Sequence, residues 1–202
     1  MISIYQLKPK FQSLLRPFVN RLSNANITAN QVTVSACLGS IFVSLIVGLL
    51  SSYQWIFCVI PIWMLIRMAL NAIDGMLARE FNQKTHLGAY LNEIGDVISD
   101  SALLLVFAQL NNVSNYLVIL VVLLSFLTEY TGVLGVMIGA SRRYDGPMGK
   151  SDRAFVFGII SLGIGIYQLP LDWIDPLLWI VNFLLIYTVI NRIRKGLQET
   201  QK

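Results

Sequence analysis

Apolar residues dominate six stretches of the chain, at roughly residues 31–52, 54–74, 86–110, 115–140, 153–169 and 173–191. Each approaches the ~20 residues a helix needs to cross the hydrocarbon core of a bilayer, so the pattern predicts six transmembrane helices. Ahead of them, Ile4, Leu7, Phe11, Leu14, Leu15, Phe18 and Leu22 recur at helical spacing with basic residues between. That pattern predicts an N-terminal amphipathic helix over residues 1–25, lying in the membrane interface with its apolar face down. Pro9 and Pro17 are expected to interrupt or bend it. There is no repeat of fixed length and no low-complexity tract. Residues 1–202 therefore read as a single all-α integral membrane domain, with a six-helix bundle over 31–191.

Composition agrees with this layout. Of 202 residues, 55% are hydrophobic and 13% charged, with a mean hydropathy of +0.65; a soluble domain carries about 25% charged residues. The basic residues give the layout an orientation. Lys8, Lys10, Arg16 and Arg21 precede the first span, and Arg79 and Lys84 join the second and third. Arg142, Arg143, Lys150 and Arg153 join the fourth and fifth, and Arg192, Arg194, Lys195 and Lys202 follow the sixth. The opposite connections, near 51–53, 111–115 and 168–172, contain no Lys or Arg. By the positive-inside rule, both termini are expected to be cytoplasmic. The basic excess is thus read as cytoplasmic loop charge, with no nucleic-acid partner. Nothing at the N-terminus reads as a cleavable signal, because four basic residues precede any long apolar run. Cys37 and Cys58 lie in apolar stretches without paired spacing and are read as packing residues.

The informative residues are the polar ones inside the spans. A charge near the bilayer centre costs at least ~2.5–3.5 kcal/mol, so each is a functional candidate. Arg67, Asn71, Asp74 and Ala78 fall at i, i+4, i+7 and i+11 on one face of the second span. Asn92, Asp96 and Asp100 recur every four residues on the third, with Glu93 adjacent, and Glu129 lies in the fourth. Two neighbouring helices joined by a short loop are therefore expected to present oxygen ligands to a common space near the cytoplasmic surface. Hard oxygen donors favour Mg²⁺, Mn²⁺ or Ca²⁺ over zinc. The one histidine, His86, cannot build a zinc site alone and is read as a loop or interfacial residue. The structural alternative is polar contact between helices, or a charge pair with Arg67.

Residues 71–96 read N-A-I-D-G-M-L-A-R-E-F-N-Q-K-T-H-L-G-A-Y-L-N-E-I-G-D. This resembles the signature of the CDP-alcohol phosphatidyltransferase family, D-x-x-D-G-x-x-A-R, eight residues, then G-x-x-x-D-x-x-x-D. Asp74, Gly75, Ala78, Arg79, Gly88 and Asp96 match at the right spacing. The resemblance covers most of the chain, including a Thr28-Ala29-Asn30-Gln31-Val32-Thr33 lead-in to the first span, and is strongest to a little-characterised bacterial branch. It implies a bacterial inner-membrane enzyme of phospholipid synthesis with its active site facing the cytoplasm. Such an enzyme transfers a phosphatidyl group from a CDP-activated lipid donor, such as CDP-diacylglycerol, to an alcohol acceptor and releases CMP. It further implies one or two Mg²⁺ or Mn²⁺ ions held by Asn71, Asp74, Asn92 and Asp96, with Asp96 as general base. Gly75, Ala78, Arg79 and Gly88 would bind the nucleotide donor: Gly75 and Ala78 leave room for the nucleotide, and Gly88 permits close helix approach. Membrane lipids and a second copy of the chain, as a homodimer, are the remaining partners implied.

Two signature aspartates are replaced, by Asn71 and Asn92. An amide oxygen can ligate Mg²⁺ but contributes no charge and bridges two ions poorly. Three consequences stay open: one ion instead of two; compensation by Asp100, Glu93 or the substrate diphosphate; or loss of chemistry, leaving a non-catalytic lipid- or nucleotide-binding descendant. A transporter using Asp74, Asp96 and Arg67 is disfavoured by the lack of duplicated halves. The 141–153 loop, S-R-R-Y-D-G-P-M-G-K-S-D-R, is held to a turn by Gly146-Pro147 and Gly149. Its Arg142, Arg143, Lys150 and Arg153 read either as ordinary cytoplasmic loop charge or, by resemblance to the family's basic segment, as an acceptor pocket. The second reading favours an anionic acceptor such as a phosphorylated polyol, with neutral alcohols left open.

Overall fold

The computed structural model describes residues 4–201, with side chains described from Phe11 onward. Expectations for the side chains of Ile4, Leu7, Lys8 and Lys10 fall outside the described residues. Seven helices follow in order: α1 (Ile4–Asn24), α2 (Ala29–Leu49), α3 (Val59–Glu80), α4 (His86–Leu105), α5 (Asn115–Met137), α6 (Lys150–Tyr167) and α7 (Ile174–Thr200). Short 3₁₀ turns at Gln54–Cys58, Val106–Gln109 and Leu171–Trp173 join some of them, and no strand occurs among the described residues. The chain is all-helical.

Among the described residues, four segments are long and apolar enough to cross a membrane: Ala29–Leu49, Gln54–Glu80, Asn115–Met137 and Leu171–Thr200. α4 and α6 occupy the places expected for the third and fifth spans, but each carries three charged residues. These are Glu93, Asp96 and Asp100 on α4, and Lys150, Asp152 and Arg153 on α6. These charged groups are the ones that lower the apolarity of the two helices. Helix α1 runs continuously through both Pro9 and Pro17, so of the expected interruption or bend, no interruption occurs. α3 and α7 run further than the apolar pattern suggested, to Glu80 and Thr200.

The helices are distributed over two compact units. One comprises Met1–Ile41 and Trp63–Ser99, the other Phe42–Ile62 and Asp100–Lys202. In the first, Leu15 and Val19 of α1 pack with Ala29, Val32, Ile73, Met76 and Leu77, flanked by Phe11 and Leu22. The apolar side of α1 is therefore divided. Phe11, Leu15, Val19 and Leu22 face protein, whereas Leu14 and Phe18 are exposed. Arg16 donates two hydrogen bonds to the Glu80 carboxylate, 2.8 and 3.2 Å, fastening α1 to the end of α3. α2 and α3 approach closely where the Trp63 ring lies over Gly39, with no room for a Cβ. The indole nitrogen donates to the Ser40 hydroxyl at 3.0 Å.

In the second unit, Phe57, Phe107 and Phe157 form a buried edge-to-face chain, with ring centroids 5.6 and 5.2 Å apart. Such pairs contribute ~0.5–1.5 kcal/mol each beyond burial. Gly165 of α6 presses on Cys58 with no space for a side chain, so Cys58 is a packing residue as expected. Small residues at close crossings are the usual means of helix association in apolar surroundings.

Candidate functional site

The N-terminus of α2 opens with a reciprocal cap. The Thr28 amide donates to Gln31 Oε1 at 2.8 Å, and the Gln31 amide donates to Thr28 Oγ1 at 3.2 Å. The next amide, Ala29 N–H, is taken by Gln83 Oε1 from the α3–α4 loop at 2.7 Å. Asn30 Nδ2 donates to Thr85 Oγ1 at 3.3 Å, and Thr85 in turn caps α4 by accepting from the Gly88 amide at 2.8 Å. This polar lacing holds three helix ends around one cavity of about 390 Å³, within the ~300–1,000 Å³ of typical ligand pockets.

Asp74, Gly75, Ala78 and Arg79 of α3 line the cavity, facing Gly88, Asn92 and Glu93 of α4, with Lys84 in the connecting loop. Asp74 is 5% exposed, and its Oδ2 accepts from the Thr33 hydroxyl at 2.7 Å. A carboxylate thus projects into the cavity with its orientation fixed from α2. Arg79 lies across Gly75: a Cβ there would meet the guanidinium at 3.1 Å. At Gly88 a Cβ would stand 2.6 Å from Asn30 Oδ1, so glycine leaves room for the Asn30 side chain. Anionic Asp74 and Glu93 and cationic Arg79 and Lys84 therefore line one space.

The other two signature residues are placed differently. Asp96 Oδ1 accepts from Arg67 Nη2 at 3.1 Å and from Asn71 Nδ2 at 3.2 Å, and Arg67 Nη2 also reaches the Asp96 carbonyl at 3.1 Å. Arg67 is 6% exposed. Neither Asn71 nor Asp96 lines the cavity that holds Asp74 and Asn92. Among the described residues, no three His, Cys, Asp or Glu side chains gather into a metal cluster. With amides at two signature positions and Arg67 one turn before Asn71 on α3, the fourth acid is drawn to a guanidinium. The residues that do share the cavity still suit a divalent cation: Asp74 and Asn92 offer hard oxygens, and Thr33 holds the carboxylate.

The basic loop belongs to the second unit. Its Arg143 amide donates to the Gly132 carbonyl at 3.0 Å, and a Cβ at Gly132 would stand 2.6 Å from the Arg143 carbonyl oxygen. The loop therefore lies directly on α5. Arg153, at the start of α6, is 2% exposed. It donates to Asp100 Oδ2 at 2.8 Å, Glu129 Oε1 at 3.1 Å and Thr128 Oγ1 at 3.1 Å. Arg142 reaches Glu129 Oε2 at 3.4 Å and stacks over the Tyr144 ring at 4.7 Å. Arg143 turns away, to Asp145 at 2.8 Å and to Glu199. Lys150 opens α6, whose N-terminus is capped by Asp152 Oδ2 accepting from the Gly149 amide at 3.0 Å.

Arg192, read in the sequence as tail charge, is also buried here. It lies 3.6 Å from Glu129 Oε1, donates to the Asp145 carbonyl at 3.3 Å, and contacts the Thr128 carbonyl. The signal was present: Asn182, Leu185, Thr188, Arg192 and Gly196 follow helical spacing, and four of them are polar or small. Arg142, Arg153 and Arg192 thus meet Asp100 and Glu129 in a largely buried cluster.

Residues 26–191 match the CDP-alcohol phosphatidyltransferase family. The chain is 48% identical over 97% of its length to inner membrane protein YnbA of Escherichia coli, of which it covers 97%. It is 24% identical to an archaetidylinositol phosphate synthase of Pyrococcus horikoshii, over 95% of this chain and 98% of the synthase. Its fold is similar to that of Mycobacterium tuberculosis phosphatidylinositol phosphate synthase PgsA1 with CDP-DAG bound. That match has a TM-score of 0.70 at 20% identity and covers 89% of this chain and 92% of the synthase. The same synthase in complex with manganese and citrate gives 0.69 at 19% identity, covering 89% and 87%. The chain belongs to the CDP-alcohol phosphatidyltransferase family.

Proposed function

We propose that this protein transfers a phosphatidyl group from a CDP-linked lipid, such as CDP-diacylglycerol, to an alcohol and releases CMP. The observation that carries this is the cavity lined by Asp74, Gly75, Ala78, Arg79, Gly88 and Asn92. Asp74 and Asn92 would hold a Mg²⁺ or Mn²⁺ ion, as the manganese complex of PgsA1 encourages. When bound, that ion neutralises the diphosphate and orients it. Arg79 and Lys84 would take the remaining phosphate charge, and Gly75 and Gly88 keep the walls low for the nucleotide. The acceptor oxygen attacks the phosphatidyl phosphorus, forming a new O–P bond as the bond to CMP breaks. The hydroxyl proton passes to Asp96, oriented by Arg67 and Asn71, and CMP leaves with the bonding pair.

The acceptor proposed is anionic, a phosphorylated polyol. Support comes from the gathering of Arg142, Arg153 and Arg192 beside the basic loop, because several guanidinium groups held together suit a phosphate-bearing acceptor. Both PgsA1 and the archaeal relative are synthases of inositol phosphate lipids by name.

The membrane arrangement proposed has α2 to α7 spanning the inner membrane, α1 in the interface, and the cavity at the cytoplasmic face. Exposed Tyr53, Trp55, Tyr116, Tyr167 and Trp173 lie beside the connections that lack Lys and Arg. Aromatic side chains favour that depth at a bilayer surface. Mass spectrometry of lipids after overproduction is the test. A new phospholipid class absent with Asp74→Asn is expected; an unchanged lipid profile, with no CMP formed from any offered acceptor, would overturn the reading.

A further inference from the structure

Two carboxylates within about 3 Å of each other cannot both stay ionised without a proton or a cation between them. In the family signature, the first and fourth acids would meet this way at positions 71 and 96. Here the contact is Asn71 Nδ2 donating to Asp96 Oδ1 at 3.2 Å, so an amide hydrogen stands where a second carboxylate oxygen would repel. One turn earlier on α3, Arg67 donates to the same oxygen at 3.1 Å. That single oxygen therefore accepts two N–H donors, one of them cationic, and the guanidinium is additionally anchored on the Asp96 carbonyl. Asp74 and Asn92 lie apart from this cluster, in the cavity.

We propose that Arg67 is a built-in counter-cation that takes the place of one divalent ion, so that the chain binds one such ion and not two. This rests on the metal-dependent reading above. Arg67 and Asn71 then act as a pair. The arginine supplies the positive charge that a second metal would bring, and the asparagine removes the negative charge that would have required it. A metal reaching Asp96 would have to displace a buried guanidinium that donates two hydrogen bonds to this residue. The exchange of aspartate for asparagine at 71 is thereby an adaptation to Arg67 and not decay of the site. Asn92 has a separate role: it lowers the charge around the one ion that Asp74 binds.

The test is Mn²⁺ stoichiometry, read from the loss of the free aqueous Mn²⁺ spin-resonance signal. The full chain is held in phosphatidylcholine nanodiscs containing CDP-diacylglycerol, with protein-free discs as the blank. Wild type is expected to saturate at one ion per chain, and the Arg67→Gln/Asn71→Asp double variant at two. Arg67→Lys, which keeps the charge, is expected to stay at one. Should the double variant not fold, Arg67→Gln alone is expected to add a second site, about tenfold weaker than the first. Two ions on the wild type, or no second ion on either charge-removing variant, would overturn the inference and leave the metal-dependent reading standing. No ion on the wild type would overturn both.

Discussion

The hydroxyl of Thr33 donates to the carboxylate of Asp74 across 2.7 Å, linking the first turns of α2 to the cavity-facing side of α3. The same hydroxyl lies 3.1 Å from its own Ala29 carbonyl, so one hydrogen has two acceptors, and the ionised one is the nearer and stronger. Groups that orient a metal ligand affect its affinity by about 10–100-fold. Thr33→Val keeps the shape and removes the donor. It is expected to raise the Mn²⁺ concentration needed for half-maximal CMP release by about tenfold, with thermal stability within about 1 kcal/mol of wild type.

Arg192 should separate acceptor binding from donor binding. Lysine at this position keeps the charge but cannot span Glu129, the Asp145 carbonyl and the Thr128 carbonyl together. Arg192→Lys is expected to raise KM for an anionic acceptor by about tenfold or more while leaving KM for CDP-diacylglycerol unchanged, given ~1.5–3 kcal/mol per lost charged hydrogen bond. Steady-state kinetics with both substrates varied will check this.

Gly132 should be a structural requirement of the basic loop. An added methyl there would meet the Arg143 carbonyl oxygen at 2.6 Å, and backbone cannot swing aside. Gly132→Ala is expected to lower stability by about 1–3 kcal/mol, the usual cost of overpacking. Gly48→Ala is the control: nothing lies within 4 Å of the added Cβ, so thermal unfolding should be unchanged or slightly delayed.

The buried Glu129 tests whether the arginine cluster is cooperative. It receives Arg142, Arg153 and Arg192 at 3.4, 3.1 and 3.6 Å. Removing one partner of a buried ion network costs about 3–5 kcal/mol. Glu129→Gln is expected to destabilise within that range, and thermal melts should recover part of the loss when an inorganic anion such as phosphate is added.

Much of this was legible in the apolar pattern and in residues 71–96. Helix order, the Thr28 lead-in and the cavity-lining set Asp74, Gly75, Ala78, Arg79, Gly88 and Asn92 all follow from helical spacing and the signature. Partner choice was less legible, because spacing of four is not one face. Each four-residue step overshoots a full turn by ~40°, so Asp100 lies ~80° around α4 from Asn92. That rotation takes Asp100 to Arg153 in the second unit, while Asp96 meets Arg67 in the first. Likewise Asn71 and Asp74 differ by ~60° around α3, enough to send one to Asp96 and the other to Thr33. Arg192 was harder to single out for another reason: it sits in a cluster of basic residues, and in the sequence its helical register with Asn182, Leu185, Thr188 and Gly196 is what sets it apart from Arg194 and Lys195.

The most direct measurement is CMP release from CDP-diacylglycerol by the purified protein, with and without Mn²⁺, across phosphorylated and neutral alcohols. Wild type should release CMP only with metal and acceptor present, and Asp74→Asn should lower the rate by at least about a hundredfold, as loss of a positioned charge at a reacting centre does. CMP release that survives both chelation and Asp74→Asn would contradict the role given to this cavity.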